Sequence, residues 1–425
     1  MKSFNSVKRS QTRKLLGLLS ATAALVPFAT RSSAQEGLRT AVEEDRGYRE
    51  RRAPLERPQD YHNRGGLSYA ASLNYGLEYR DNVFSSENNK QSDFIHRPFL
   101  DLHALWKATK DSSLQFGAGL GYTKYTRFTD QDRLNVSPRT TLAWDIPVKD
   151  FVFTVFDRVS YSEDVLSQAV VAGVASFPRL ENTAGLRATW NPGRYQVQAG
   201  FAHQNFHSSS AQFNYVNRST ETLFGRVAYR FHPSTLAGIE ASAGFTDYAK
   251  PIQPNNQSFS AGPYVEWQLT RYIDLSLRGG VVRYGFDPTP STPGPISDLN
   301  SYYVGAEVRH KLTRNILQSL TLDKKVQQGL NQGAQYIAST ELVYDASWQI
   351  NSKFSLNVDG RFEDGKESSA VVEDYQRMGG GFGLHYRLTR RLSPAIQYAY
   401  LKRDSNIAGR GYEVNSVTLS LSYQF

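Results

Sequence analysis

The chain has 425 residues with 49 Lys and Arg against 40 Asp and Glu, 8 His, no Cys and a formal net charge of +9, so disulfides and thiolate metal centres are excluded. Six of the bases (Lys2, Lys8, Arg9, Arg13, Lys14 and Arg31) lie in the first 34 residues, which carry no acid. Beyond them 43 bases face 40 acids, so the net charge does not indicate a nucleic-acid partner.

The basic residues 2–14 lead into an apolar run from Leu15 to Ala29 and then Ser32-Ser33-Ala34. Charged, apolar and small residues in that order predict an export signal over 1–34, with the cut near Ala34; the apolar run is short and broken by Pro27, unlike a membrane-spanning helix. Residues 35–65 carry seven acids and seven bases and little apolar content. Such a stretch cannot bury enough surface to fold alone, and it is expected to be a flexible charged periplasmic arm, either plain disorder or a partner-binding tail.

From Gly66 the pattern becomes one of strands. Leu67, Tyr69, Ala71, Leu73, Tyr75, Leu77 and Tyr79 share one face, with Ser68, Ala70, Ser72, Asn74, Gly76 and Glu78 on the other. A strand of that length can cross a bilayer at a tilt. The alternation recurs in 114–122, 354–362 and 378–386. Short connections centred near 110, 148, 193, 233, 270, 313, 352 and 390 alternate with longer polar ones near 81–93, 128–133, 163–178, 207–217, 249–257, 286–299, 329–334, 366–374 and 405–410. Eight short and nine long connections predict an all-β, transmembrane antiparallel barrel of about 18 strands over 66–425, with short periplasmic turns and longer extracellular loops. Residues 151–161 and 315–328 alternate poorly, and 16 strands would follow if they are not strands.

Trp106, Trp144, Trp190, Trp267 and Trp348, all five tryptophans, stand just before short connections. An indole has an apolar body and a single donor and settles between hydrocarbon and headgroups, so the five predict an aromatic girdle at the periplasmic boundary of an outer-membrane lipid bilayer.

A chain that closes in lipid must alternate lipid-facing and lumen-facing side chains. The polar faces therefore predict a lumen lining that includes Tyr264, Glu266, Tyr303, Glu307, Arg309, Asp359, Arg361, Arg377 and Arg387. Acids and bases neighbour one another on these faces, which indicates a hydrated, weakly selective lumen, or alternatively a bore filled by ion pairs. Gly379, Gly381 and Gly383 share the inward face, either making room for solute or marking close approach of backbones. The histidines are scattered and surround no nucleophile; His203 and His207 are four apart but straddle a strand end. No enzyme, metal site or cofactor is expected.

The last nine residues, 417–425, alternate without a fault and end on Phe425. Leu421, Tyr423 and Phe425 in this setting resemble the signal by which the barrel assembly machinery recognises outer-membrane barrels. Tyr79-Arg-Asp81-Asn82-Val83-Phe84, followed by Ser92-Asp93-Phe94, is similar to the opening motif of the putative β-barrel porin 2 family, though Arg80 stands where that family often has a second Asp. The resemblance implies an outer-membrane barrel associated with exopolysaccharide export, with polysaccharide and periplasmic export components as partners and Tyr264, Tyr303 and Arg309 along a sugar track. Asp81 and Asn82 are expected to shape the loop, since Asx side chains bond their own backbone. A passive general porin and a structural or adhesive barrel remain the alternatives from sequence.

Overall fold

The computed structural model describes residues 62–109, 111–290, 298–369 and 371–425. The expected signal and, apart from residues 62–65, the expected arm lie outside them. Strand β1 (His62–Arg64) is followed by β2 (Leu67–Arg80), β3 (Asp93–Lys107), β4 (Ser113–Tyr125), β5 (Arg133–Val148), β6 (Phe151–Ser162), β7 (Arg179–Trp190), β8 (Tyr195–Ser208) and β9 (Arg218–His232). Then come β10 (Thr235–Tyr248), β11 (Asn256–Gln268), β12 (Ile273–Phe286), β13 (Leu299–Lys311), β14 (Ile316–Gln328), β15 (Tyr336–Gln349), β16 (Phe354–Glu367), β17 (Glu373–Tyr386), β18 (Leu392–Ser405) and β19 (Tyr412–Gln424). From β2 onward each strand pairs antiparallel with the next, and β19 returns to β2, closing a barrel of 18 strands. The two poorly alternating stretches are β6 and β14, so the count of 16 is set aside.

Closure pairs every strand of the ring on both sides over most of its length, which is what lets strands exist in hydrocarbon. The seam between first and last strand is fastened at both ends. β19 covers β2 from Ser416↔Arg80 to Gln424↔Ser72. Below that, β1 covers the same edge from His62↔Tyr69 to Arg64↔Leu67, so residues 62–64, expected in the arm, belong to the sheet. The turn between β1 and β2 is Gly65-Gly66, at φ of +57° and +87°, the left-handed values that a two-residue hairpin demands. The Phe425 N–H donates to Ala71 O at 3.1 Å, and His62 Nε2 lies 3.1 Å from Phe425 O.

The outer end of the seam is held by the motif residues. Asp81 accepts from the Asn415 backbone at 2.7 Å and from its side-chain amide at 2.8 Å. Asn82 is wholly buried. It accepts from Ser86 N at 3.1 Å and donates to Ser86 O at 2.8 Å and to Glu413 O at 3.0 Å. Asn82 therefore shapes the loop, and together the two residues also clasp β2 to β19.

Alternation sorts the side chains. The five tryptophans are all outward and between 37 and 47% exposed, with Trp190 stacked on Phe151 at 5.7 Å and Trp144 donating to Ser112 Oγ at 2.9 Å. The wall is sharply folded between β11 and β12. A Cβ on Gly262 would stand 1.9 Å from Gly279 O, and one on Gly280 2.1 Å from Ala261 O. That corner brings β10 and β13 together across the lumen although two strands separate them along the wall.

Candidate functional site

The lumen is not uniform along its length. Toward the outer mouth the inward side chains are buried, and the agent is the connection between β6 and β7. Residues 163–178 turn inward and cross the bore. Val165, Ala169, Val170, Val171 and Phe177 pack on Phe206, Phe213, Val216, Leu330, Ile337 and Tyr375, so one apolar cluster joins this loop to β8, to the loops before β9 and β15, and to β17. Leu166 packs on Leu401, Tyr412 and Val414, and Ala175 on Val83, Ile95 and Tyr125. The segment was expected among the polar outer loops. Its composition is instead apolar, and an apolar 16-residue loop is driven out of water and into the nearest concavity.

An irregular loop buried in this way must find partners for its carbonyls. Arginines on the facing wall supply them: Arg377 donates to Leu166 O at 2.5 Å and Arg403 to Ala169 O at 2.6 Å. Arg179 donates to Asp164 O at 3.1 Å and to Ser167 Oγ at 2.7 Å, and the Gly173 N–H donates to Ser85 O at 3.1 Å. These cations are themselves neutralised. Arg377 pairs with Glu363 at 3.3 Å and Arg403 with Glu373 at 2.5 Å, all four side chains fully buried. Tyr375 donates to Glu363 at 3.1 Å, and Arg410 bridges Glu373 and Asn331. At the root of the loop Arg133 lies 3.1 Å from Glu163, whose carboxyl burial pushes up to about 7 against the pull of Arg133 and Arg97.

A second polar layer lies in the folded corner. Arg226 pairs with Glu240 at 3.4 Å and Glu266 at 3.8 Å and lies over the Tyr264 ring at 3.8 Å; Tyr303 donates to Glu240 at 3.3 Å. Arg278 is 3.5 Å from Asp323, and Glu341 accepts from Lys325 at 3.1 Å and pairs with Arg361 at 3.0 Å. The lumen is thus partly filled by ion pairs and, lower down, accessible: Arg309, paired with Glu307 at 2.6 Å, keeps about half its side chain exposed (49%), and Asp359 is partly exposed.

Eight of the nine residues expected in the lining lie on lumen-facing strand positions. Tyr264 and Tyr303 are buried in the corner, only 3% and 1% exposed, which removes them from any accessible sugar track. Arg377 is buried against the crossing loop, while Glu266, Glu307, Arg309, Asp359 and Arg361 retain access. Arg387 is corrected: it lies past the end of β17, exposed in a short turn, because the strand stops at Tyr386. Gly379 and Gly381 mark close approach, since a Cβ there would meet Tyr400 O at 2.9 Å and Tyr398 O at 2.8 Å. The residues missed from sequence are Arg403, Glu373, Arg410 and the loop 163–178. The loop could have been found from its apolar content; the distant partners of the charges could not.

No curated protein is similar enough to count as a relative. Among solved structures, Pseudomonas aeruginosa OccK2 (OpdF) in complex with glucuronate aligns at 15% identity and a TM-score of 0.47, over 84% of this chain and 98% of that one. Acinetobacter baumannii OccAB2 aligns at 10% and 0.44 over 84% and 98%, and outer-membrane expressed OmpT of Vibrio cholerae at 10% and 0.40 over 86% and 100%. At such similarity the glucuronate of the Pseudomonas protein says nothing of what this chain passes. Residues 65–425 match the family described as putative beta-barrel porin 2. With its 18 strands closed, its lumen polar and its first and last strands clasped by that motif, the chain belongs to the porin 2 family and is a porin-like barrel of the Gram-negative outer membrane.

Proposed function

We propose that the barrel is a gated channel for hydrophilic material serving exopolysaccharide export, with loop 163–178 as the gate. The observation that carries the reading is the asymmetry of the lumen: a partly accessible polar wall of Glu307, Arg309, Asp359 and Arg361, and a mouth packed around an inward loop. A mixed-charge wall can replace part of a solute's hydration without trapping it. Material approaching from the periplasm meets that wall first and must displace the loop to leave. In this reading the loop is the moving part and no side chain has a catalytic role. The same packing weighs against the passive porin, which would need a standing opening at the mouth.

The test is planar-bilayer conductance of the folded protein, intact and with residues 165–177 replaced by a short Gly-Ser link, each with and without the host's secreted polysaccharide. Low conductance that rises when the loop is removed, and is then blocked by the polymer, is the expected result. A loop-deleted channel indifferent to polymer would return the protein to the passive porins, and high conductance of the intact protein would refute the gate.

A further inference from the structure

The outward face of the wall carries a feature that a channel does not use. Across β8 to β13 the bilayer-facing surface carries a shallow, open groove of about 1090 Å³ lined by small and apolar residues. Its floor is Ala199, Gly225, Ala241 and Ala261, and Phe259 and Tyr302 stand along it. These positions are outward by register, as Leu223↔Ala243 and Ala243↔Phe259 show by continuing the lipid-facing row.

The groove ends where the wall is least continuous. The ladder between β13 and β14 stops at Val304↔Lys324, although β13 begins at Leu299 and β14 runs on to Gln328. Beyond that point β14 turns inward: Val326, outward by alternation, is 1% exposed and packs on the lumen-facing Val282, Tyr284 and Phe286 of β12. The outer ends of β13 and β14 therefore meet as an overlap of side chains, with no ladder bonds to resist spreading. At the same level Lys324 faces outward and seats its ammonium 3.6 Å from the Tyr302 ring centroid, and Arg283 lies at the groove's outer end, 2.6 Å from Asp298. On β14 the outward residues below Lys324 are Leu322 and Leu320, both exposed, so the cation sits where hydrocarbon gives way to headgroups.

We propose that this groove seats the acyl chains of a phosphorylated glycolipid of the outer leaflet, with its phosphate at Lys324 and Arg283. The apolar floor and the cationic rim are complementary to the two halves of such a molecule: chains bury apolar surface in the hollow, and a lysine resting on an aromatic face at headgroup depth attracts an anion. The overlap of β13 and β14 gives the seat room to widen around its occupant. This proposal stands apart from the solute reading and survives if that reading fails.

The experiment is native mass spectrometry of the full-length protein released gently from outer membranes, and of delipidated protein titrated with lipid A in nanodiscs. Wild type is expected to retain lipid A. Ala241→Trp, which fills the floor, and Lys324→Glu, which reverses the rim, are each expected to lower retention by about tenfold, while Leu419→Trp on the far wall leaves it unchanged. Folding of each variant is checked by heat-modifiable mobility, and Ala261→Leu replaces Ala241→Trp should that variant not fold. The proposal is overturned if wild type retains no lipid A, if retention ignores both substitutions, or if Leu419→Trp lowers it equally. It is also overturned if Ala241→Trp dissolves an oligomer without affecting lipid A, which would give the groove to a second copy of the chain.

Discussion

Arg377 is the residue whose removal tests the closed mouth most directly. Its guanidinium holds Leu166 O at 2.5 Å and Glu363 at 3.3 Å, with no exposed atom on either charged side chain. In Arg377→Ala the Glu363 carboxylate keeps the Tyr375 hydroxyl at 3.1 Å and the neighbouring charge of Arg361 but loses its direct ion pair, and Leu166 O loses its donor. Stranding one partner of a buried pair costs about 3–5 kcal/mol. The barrel does not have to unfold to escape that cost. If loop 163–178 lifts, water reaches Glu363, so most of the penalty falls on the closed arrangement alone. About 3 kcal/mol shifts a closed-to-open ratio by roughly 100-fold. Single-channel recording should therefore find Arg377→Ala open about 100 times as often relative to closed as wild type, with unchanged heat-modifiable mobility because no ladder bond is lost. Replacing both partners, as Arg377→Met with Glu363→Met, removes the stranded charge and should return most of the closed population. An open fraction in Arg377→Ala within about threefold of wild type would refute the argument, as would a double variant that opens as readily as the single.

The gate should also respond to pH through Glu163, which faces Arg133 of β5 and Arg97 of β3 beside Asp164 in its own loop. Burial raises its folded value from 4.5 to about 7. The packing it favours is thus complete below about pH 4.5 and is lost as pH climbs through about 7, so conductance should rise between pH 6 and 8 and Glu163→Gln should flatten that rise. Asp81→Ala removes two acceptor contacts across the seam and should lower the unfolding free energy by about 2–3 kcal/mol in urea titration of the detergent-folded barrel; an unchanged midpoint would deny the clasp. Phe425 is 52% exposed and outward. Removing its ring should leave refolding in detergent near wild type while sharply lowering the assembled amount in cells, and equal losses in both would make it a structural residue rather than a recognition signal.

How far the sequence could be read depended on the range of the forces involved. Strand count, turns, facing and girdle rest on a period of two and on where an indole is comfortable, so residues such as Trp348 and Leu421 announce themselves locally. Asp81 and Asn82 were half legible: an Asx turn is a local event, whereas Asn415 and Glu413 lie at the other end of the chain. Arg387 was misplaced because alternation alone does not say where a strand stops, and a turn continues it for a residue or two. Tyr264 and Tyr303 were placed on the right face but denied access by the corner at Gly262 and Gly280, a three-dimensional property of four strands.

The same distinction shows how the proposed gate would combine a rigid wall with a movable mouth. Except at the outer ends of β13 and β14, the wall is fastened by backbone ladders from strand to strand, and opening those exposes donors and acceptors that lipid cannot satisfy. Loop 163–178 is held otherwise: by apolar contacts to Phe206, Leu330 and Tyr375, which resist exposure to water, and by arginine bonds to Leu166 O and Ala169 O, which water can replace. Its release therefore costs the difference between side-chain packing and hydration rather than a broken sheet. A titrating carboxylate or an arriving polymer would act on that difference, so in the gated reading closure is best sought in the loop and its arginines and not in the strands.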